Sequence, residues 1–317
     1  MVKILFIKTS SLGDVIHHMP AITEARRHFG DARFTWVVEE AFAPLARLHP
    51  AVDEVIPVAW RRWRRALREG ATWSEIRDFK STLRSREYDA IVDAQGLLRT
   101  GLISRLARGR RHGYDRKSIR EPLASPFYDV RHRVSRALHA IDRNRILTGL
   151  ALGYAPDGEL DFGLDGKRLT VPRGDPYGIL LHATARPEKE WPEDRWVALG
   201  NVLAEQGFDL ILPWGTAAEK ARSERIAAAV PRAGIPERKP LDTLVPLIGG
   251  AWFVVGVDTG LLHLAAALRV PLVAVFLGSE PGLTGPKGTG PIVVLGGKGL
   301  LPSVDEVFAA VQQLVAP

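Results

Sequence analysis

The chain has 317 residues, 46% of them hydrophobic and 25% charged, with a formal net charge of +7. This composition excludes a disordered chain, and the length favours two domains over a single hydrophobic core. Cysteine is absent, which excludes disulfides and thiolate metal sites and makes the cytoplasm the expected compartment. Because no apolar run approaches the roughly 20 residues of a membrane span and no signal-peptide pattern is visible, we expect neither secretion nor membrane insertion.

The first half alternates apolar runs with amphipathic segments, a pattern typical of an α/β fold. It predicts strands at Lys3–Lys8, Phe34–Glu39, Glu54–Pro57, Ala90–Ala94 and Arg111–Tyr114, and helices notably at Met19–His28 and Trp73–Arg86. The first strand runs through a small-residue turn to Asp14. Parallel sheets hold ligands beyond the carboxyl ends of their strands, so Asp14 lies where chemistry is expected. Taken alone, this stretch favours Asp14 as the N-cap of a helix starting at Val15.

Positive charge is concentrated in the first half. Residues 1–165 hold 28 basic and 21 acidic side chains, whereas residues 166–317 hold 15 of each. The densest segment is Trp60–Arg68, which as a helix would present Trp60, Trp63 and Leu67 on one face and arginines around the rest. The pattern indicates an anionic partner with apolar tails, and a solvated basic helix is the alternative.

The second half follows a Gly/Asp-rich stretch, Gly153–Pro176, that we interpret as an interdomain linker. Beyond it the pattern predicts strands at Gly178–His182, Asp209–Pro213, Phe253–Val257, Leu272–Phe276 and Ile292–Leu295. Ser303 and Glu306 have the spacing of a capping box that opens an amphipathic helix to Leu314. Strands and helices therefore alternate in both halves.

Three strand ends in the second half carry groups suited to a phosphorylated ligand. Asp258, Thr259 and Gly260 follow a buried strand and lead into a helix, whose first N–H groups would bind phosphate. Another strand leads to Thr184 and Lys189, a hydroxyl and a cation that suit an anion. A third strand, Asp209–Pro213, leads to a helix that has Glu219 in its first turn. The Glu219 carboxylate could bind ribose hydroxyls or simply interact with the helix dipole. His263, in the first turn after Gly260, could donate to phosphate or pack against the core; Lys189 could equally be solvated surface.

Eight segments carry a resemblance to a known family. Along nearly the whole chain they are KTSSLGDVIHHMPA, WVVEEAF, VAWRRWRR, DAQGLLRTGL, REPLASPFY, LHATARPEKEWP, LPWG and VDTGLLHLAAAL. In order and spacing they resemble the bacterial heptosyltransferases of lipopolysaccharide inner-core synthesis, most closely those of the heptosyltransferase I type. The resemblance implies a GT-B glycosyltransferase, an α/β fold of two Rossmann-like domains with a cleft between them. Residues 1–165 would bind the acceptor and residues 166–317 the nucleotide sugar, with the 302–317 helix either staying there or packing back on the N-terminal domain.

The resemblance also implies the reaction and the residues that perform it. It is the inverting transfer of L-glycero-D-manno-heptose from ADP-heptose to the inner Kdo of Kdo2-lipid A, at the cytoplasmic face of the inner membrane through peripheral contact. By position Asp14 would be the catalytic base and Lys189 would neutralise the leaving diphosphate, and Trp60 and Trp63 would contact lipid. The expected acceptor-binding residues are Ser10, Ser11, Gly13, Arg61, Arg62, Arg64, Arg120 and Arg143. The expected donor-binding residues are Thr184, Ala185, Lys189, Glu219, Asp258, Thr259, Gly260, Leu261 and His263.

No metal or other cofactor is expected, because the sequence has no D-x-D pattern to hold a divalent ion on a diphosphate. The chain departs from the family pattern at Ala185, where close relatives often have a second threonine. Two alternatives stay open. One is a heptosyltransferase II that acts on a heptosylated acceptor. The other is a basic nucleic-acid-binding protein, although no recognisable nucleic-acid module is present.

Overall fold

The structure is a computed structural model that describes residues 1–164, 176–184, 186–278 and 280–315. The chain divides into two compact units, Met1–Gly163 and Leu164–Pro317. Each unit contains its own six-stranded parallel sheet. The boundary falls within the Gly/Asp-rich stretch and two residues before the predicted division after residue 165.

The sheet of the first unit has the strand order β3-β2-β1-β4-β5-β6. Its strands are β1 (Lys3–Ile7), β2 (Arg33–Glu39), β3 (Glu54–Val58), β4 (Glu87–Asp93), β5 (Arg108–Tyr114) and β6 (Val130–His132). Residues 4–7 of β1 are fully buried, as a central parallel strand requires. The order reverses between β1 and β4, and ligands bind beyond the carboxyl ends of strands at such a point.

The sheet of the second unit repeats this topology, with the order β12-β11-β10-β7-β8-β9. Its strands are β7 (Tyr177–Leu181), β8 (Asp209–Ile211), β9 (Ala233–Gly234), β10 (Phe253–Val257), β11 (Leu272–Phe276) and β12 (Ile292–Gly296). Here the order reverses between β7 and β10. The second unit therefore has its own expected ligand edge, at the carboxyl ends of these two strands.

Helices connect the strands in both units. They are α1 (Leu12–Ile16), α2 (Met19–His28), α3 (Ala43–Arg47), α4 (Trp60–Trp63), α5 (Gly70–Arg84), α6 (Leu98–Leu106), α7 (Ala140–Leu152), α8 (Glu193–Glu205), α9 (Ala217–Ala228), α10 (Leu241–Gly249), α11 (Gly260–Ala267), α12 (Pro281–Thr284) and α13 (Val304–Val315). Short 3₁₀ turns lie at Glu40–Phe42, Pro122–Phe127 and Pro187–Lys189. No helix among the described residues is both long and apolar enough to cross a membrane.

The structure corrects two predicted helices. The helix expected to start at Val15 begins at Leu12, so Asp14 is its third residue and Ser11 is its N-cap. The helix expected over Trp60–Arg68 ends at Trp63, and Leu67 lies in the turns that follow it. A longer helix would place Arg61 four residues from Arg65 and Arg64 four residues from Arg68, and like charges at that spacing destabilise a helix.

The predicted linker is only partly a linker. Glu24 on α2 accepts hydrogen bonds from the backbone N–H groups of Asp157 (3.0 Å) and Gly158 (3.1 Å) through one carboxylate oxygen. Arg145 donates to the same carboxylate at 2.8 Å. This stretch therefore packs against the first unit, while residues 165–175 lie outside the described part of the chain.

Helix α13 begins with the predicted capping box. The Ser303 N–H donates to Glu306 Oε2 (2.6 Å), and the Glu306 N–H donates to Ser303 Oγ (3.2 Å). The apolar face of the helix buries Val307 and Val311 in the core of the second unit, beside β10, β11 and α8.

Candidate active site

The turn after β1 is held by side chains that follow β4. The N–H groups of Thr9 and Ser10 both donate to Gln95 Oε1 at 3.0 Å. Arg99, in the first turn of α6, donates to Ser10 Oγ at 2.7 Å. Because β1 and β4 are adjacent parallel strands, their carboxyl ends meet at one edge and their turns fix each other.

Asp14 lies at this edge with both carboxylate oxygens in defined surroundings. Its Oδ2 accepts hydrogen bonds from the Ser11 N–H (2.8 Å) and hydroxyl (3.2 Å). Its Oδ1 lies 3.7 Å from Nζ of Lys8, and the Asp14 side chain is 29% exposed. The carboxylate is thus held by the start of α1 while part of it faces solvent, which suits a group that must meet a substrate. Gly13, beside it, is buried.

Lys8 is a buried cation that sequence reasoning missed. Its ammonium donates to the carbonyl of Ala94 at 3.0 Å, and its side chain is only 7% exposed. Burial lowers the pKa of Lys8, and the nearby carboxylates of Asp14 and Asp93 oppose that shift. Lys8 therefore places a positive group next to Asp14 inside the protein.

Asp93, at the end of β4, anchors the second turn. It is fully buried, and its Oδ1 accepts from the N–H groups of Gln95 (2.9 Å) and Gly96 (3.2 Å), while its Oδ2 accepts from the Tyr128 hydroxyl at 2.7 Å. Burial raises its pKa, and these hydrogen bonds counteract the rise. Gly96 adopts φ +67°, a left-handed conformation that favours glycine. The signal in the sequence was Asp-Ala-Gln-Gly, which overlaps the end of the predicted strand Ala90–Ala94.

The five arginines expected to bind the acceptor have different surroundings. Arg143 donates to the Ser118 carbonyl at 2.6 Å and lies over the ring of Tyr114. The charges of Arg143 and Arg120 both lower the pKa of Lys8, so both lie near the Lys8–Asp14 pair.

Arg61, Arg62 and Arg64 follow β3, within or directly after α4. The Arg61 guanidinium lies 5.5 Å from the ring centroid of Phe42, and Arg64 is exposed. Arg62 forms ion pairs with Glu40 (3.0 Å) and Glu75 (2.8 Å). Because these carboxylates already neutralise Arg62, it is the least suited of the three to bind another anion.

Lys189 and Asp258 form an ion pair in the second unit, each side chain being 12% exposed. Lys189 ends the 3₁₀ turn after β7, and Asp258 directly follows β10, the two strands at which the sheet order reverses. The Thr184 hydroxyl donates to the Asp258 carbonyl at 2.9 Å. The structure thus brings together three of the residues predicted to bind a diphosphate, and Ala185 lies outside the described residues.

The start of α11 adjoins this pair. Thr259 is its extended N-cap, Gly260 its first residue and Leu261 its second, so the first-turn N–H groups lie directly after Asp258. His263 is 6% exposed and lies on the buried face of the helix. A helix start of this kind offers N–H donors and a positive dipole end to an anion.

Glu219 forms a capping box with Thr216 at the start of α9. Its Oε2 accepts from the N–H groups of Gly215 (2.7 Å) and Thr216 (3.2 Å), and its own N–H donates to Thr216 Oγ1. The ribose contact stays a prediction. Within the described residues, no group of three or more His, Asp or Glu side chains is arranged to hold a metal ion.

A sequence profile of glycosyltransferase family 9 (heptosyltransferase) matches residues 76–307. The chain therefore belongs to glycosyltransferase family 9. The family resemblance drawn from the eight sequence segments is confirmed, and the chain is a glycosyltransferase.

Two family 9 relatives match most of the chain. Lipopolysaccharide heptosyltransferase 1 of Pseudomonas aeruginosa is 45% identical over 289 residues, 90% of this chain and 81% of the relative. Lipopolysaccharide heptosyltransferase 1 of Escherichia coli K12 is 41% identical over 295 residues, 92% of each protein.

A solved family 9 structure shares the fold. The E. coli heptosyltransferase WaaC with ADP covers 99% of both chains with a TM-score of 0.90 and 38% identity. The same enzyme with ADP-2-deoxy-2-fluoro heptose gives 0.87 and 37%. The GT-B α/β fold predicted from the resemblance is confirmed.

Proposed function

We propose that this glycosyltransferase moves L-glycero-D-manno-heptose from ADP-heptose to the inner Kdo of Kdo2-lipid A, with inversion at the anomeric carbon. The observation that carries the proposal is Asp14, a part-exposed carboxylate fixed by Ser11 and Lys8 beyond the end of a central strand. Relatives that match nine-tenths of the chain are named heptosyltransferase 1, which favours neither the heptosyltransferase II nor the nucleic-acid alternative.

Asp14 would remove the proton from the attacking Kdo hydroxyl. A carboxylate is a weak base, with an ordinary aspartate pKa near 3.9. An oxocarbenium-like transition state makes the acceptor oxygen more acidic as its bond to the anomeric carbon forms, so a weak base in the correct position is sufficient. The hydrogen bonds from Ser11 occupy Oδ2, which leaves Oδ1, the atom on the Lys8 side, as the better oriented base.

The second unit would neutralise the departing ADP. Lys189 provides a cation, Thr184 a hydroxyl and the start of α11 a set of N–H donors. Donors fixed in place before the reaction stabilise charge that develops in the transition state, and loss of one such donor typically costs about 2.7–4 kcal/mol of barrier. Asp258 holds the Lys189 side chain in place and gives it up to the diphosphate when the donor binds.

The first unit would bind the anionic acceptor. Arg120 and Arg143 lie near Asp14, where the carboxylates and phosphates of Kdo2-lipid A would arrive with the Kdo sugar. Contact with the membrane would be peripheral, at the cytoplasmic face of the inner membrane. The net positive charge of residues 1–163 supports contact between the first unit and an anionic membrane surface.

The test is mass spectrometry of Kdo2-lipid A after incubation with ADP-heptose and purified protein. We expect wild type to add one heptose and Asp14→Asn to add none, because the amide keeps an oxygen for Ser11 but removes the base. Asp31→Asn, at an exposed aspartate away from the site, is the matched control and retains activity. If only an already heptosylated acceptor is extended, the enzyme is a heptosyltransferase II; if neither acceptor reacts, the proposed substrate is wrong.

A further inference from the structure

The first unit contains an apolar groove of about 560 Å³, lined in part by the two tryptophans that the family resemblance places against lipid. It lies between α4 with the turns that follow it, α5 and α6. Trp60, Trp63 and Leu67 line one side, Phe79 lines another, and Leu102 lines the third. The loss of the predicted long helix therefore does not separate Trp60, Trp63 and Leu67, because the turns after Trp63 bring Leu67 back to the same groove.

Part of this groove is exposed apolar surface. Leu67 is 48% exposed and Leu102 is 47% exposed, whereas Trp63 and Phe79 are nearly buried and pack edge to face. Two half-exposed leucines above a floor of buried aromatic rings form a contiguous apolar surface. Such surfaces on soluble domains commonly mark binding sites.

The charges around the groove all have one sign. Arg64, Lys80, Arg99 and Arg105 line it, and none of the described residues that line it is acidic. An apolar interior with a cationic rim is complementary to a molecule that combines a hydrocarbon chain with negative charges. A neutral peptide would leave the cations unmatched, and a nucleic acid would leave the apolar interior unfilled.

Arg99 connects the groove with the catalytic edge. Its guanidinium donates to Ser10 Oγ in the turn that leads to Asp14, while the same residue lines the groove. Burial lowers the pKa of Arg99, which is consistent with a side chain extended between the apolar groove and the polar turn. A ligand in the groove would therefore have its polar end close to the site where the acceptor hydroxyl reacts.

We propose that the groove between α4, α5 and α6 binds an acyl chain of the lipid acceptor, while Arg99 and the other rim cations contact its anionic groups. This inference rests on the proposed function, because it assigns the hydrocarbon part of the same acceptor. It predicts that the enzyme distinguishes an acylated from a deacylated acceptor through this groove.

The first test compares KM for acylated and fully deacylated acceptor in the same detergent, using Leu102→Asp. A carboxylate in the groove should raise KM for the acylated acceptor about tenfold or more, because it would lie against the hydrocarbon chain. A tenfold change corresponds to about 1.4 kcal/mol of binding free energy. Values of kcat and KM for the deacylated acceptor should stay at the wild-type level. Leu150→Asp is the matched control, because Leu150 is a 48% exposed leucine on α7 outside the groove.

Two outcomes would overturn the inference. Wild-type kinetics of Leu102→Asp on the acylated acceptor would show that the chain does not enter the groove. Equal losses on both acceptors would show that the groove does not distinguish an acylated from a deacylated acceptor, which contradicts the inference. If wild type transfers heptose to neither acceptor, the proposed function fails, and the acyl-chain assignment to this acceptor fails with it.

A second probe separates the groove from the reaction. Dansyl-labelled undecanoic acid should gain emission by energy transfer from tryptophan in wild type and in Leu150→Asp, and lose that gain in Leu102→Asp. Binding of the fatty acid without discrimination between the two acceptors would show that the groove binds another lipid, which contradicts the proposal. Absence of binding together with absence of discrimination would show that the groove binds no acyl chain.

Discussion

Lys8 provides the nearest positive charge to the Asp14 oxygen that Ser11 leaves open. It sits in the interior with one hydrogen bond to Ala94 and its charge 3.7 Å from Asp14. Lys8→Met keeps the apolar length of the side chain and removes the charged group. Opposite charges about 4 Å apart attract by about 1 kcal/mol in water and by about 4 kcal/mol near a protein surface, so we expect kcat to fall by roughly 10–100-fold, with KM for ADP-heptose unchanged.

The kinetic split distinguishes this positioning role from a purely structural one. Lys8→Met should retain the far-UV circular dichroism of wild type and show an altered pH dependence of kcat, because the group next to the base no longer carries charge. A variant with a lower melting temperature but wild-type kcat and pH profile would mean that Lys8 only supports the fold.

At the scale of elements, His49 joins α2 to the segment between α3 and β3. Its Nδ1 accepts from the Ala51 N–H (3.2 Å), and its Nε2 lies 3.1 Å from the Thr23 hydroxyl and 3.3 Å from the Met19 carbonyl. This arrangement fits the neutral ring, with its proton on Nε2. Burial lowers the pKa of His49 from 6.5 to about 4.

The stability that neutral His49 supplies should depend on pH. Between about pH 6.5 and about pH 4 the unfolded chain binds a proton that the folded chain does not, so this contribution is complete above the upper value and is lost as the pH falls to the lower one. The shift corresponds to about 3 kcal/mol. Urea unfolding should therefore show that the advantage of wild type over His49→Gln shrinks by about that amount across this range. If the stability of wild type relative to His49→Gln does not change with pH, the lowered pKa of His49 in the folded protein is wrong.

The elements also show how far sequence can predict this fold. The pattern predicts β10 and β11 with their observed bounds, because both are fully buried apolar runs between turn residues. It misses β6 and β9, which are three and two residues long at the sheet edges and carry no apolar pattern. Local patterns identify central strands because burial on both faces dictates their composition.

The candidate site also contains some residues whose positions sequence could predict and others whose positions it could not. The positions of Asp14, Lys189 and Asp258 beyond strand ends could be predicted, because each follows an apolar run along the chain. Lys8 and Gln95 could not, because their roles depend on the pairing of Ile7 with Asp93 between β1 and β4, 86 residues apart. Contacts across that register are tertiary information that no local spacing contains.

At the scale of the whole molecule, the two units differ in charge. Residues 1–163 contain 28 basic and 20 acidic side chains, whereas residues 164–317 contain 15 and 16. A net positive unit attracts an anionic acceptor over a distance, and salt weakens such attraction. Lys189, in contrast, is only 12% exposed, and partly buried charges are screened much less.

Ionic strength should therefore affect the two substrates unequally. Raising salt from about 0.01 M to about 1 M shortens the Debye length from about 30 Å to about 3 Å. We expect kcat/KM for the deacylated acceptor to fall steeply over this range and KM for ADP-heptose to change much less. Arg120→Gln, which removes a cation near Asp14, should reduce the salt dependence, whereas Arg238→Gln, at an exposed arginine of the second unit, should not. Equal salt effects on both substrates would mean that short-range contacts alone, and not the charge of the first unit, bring the acceptor to Asp14.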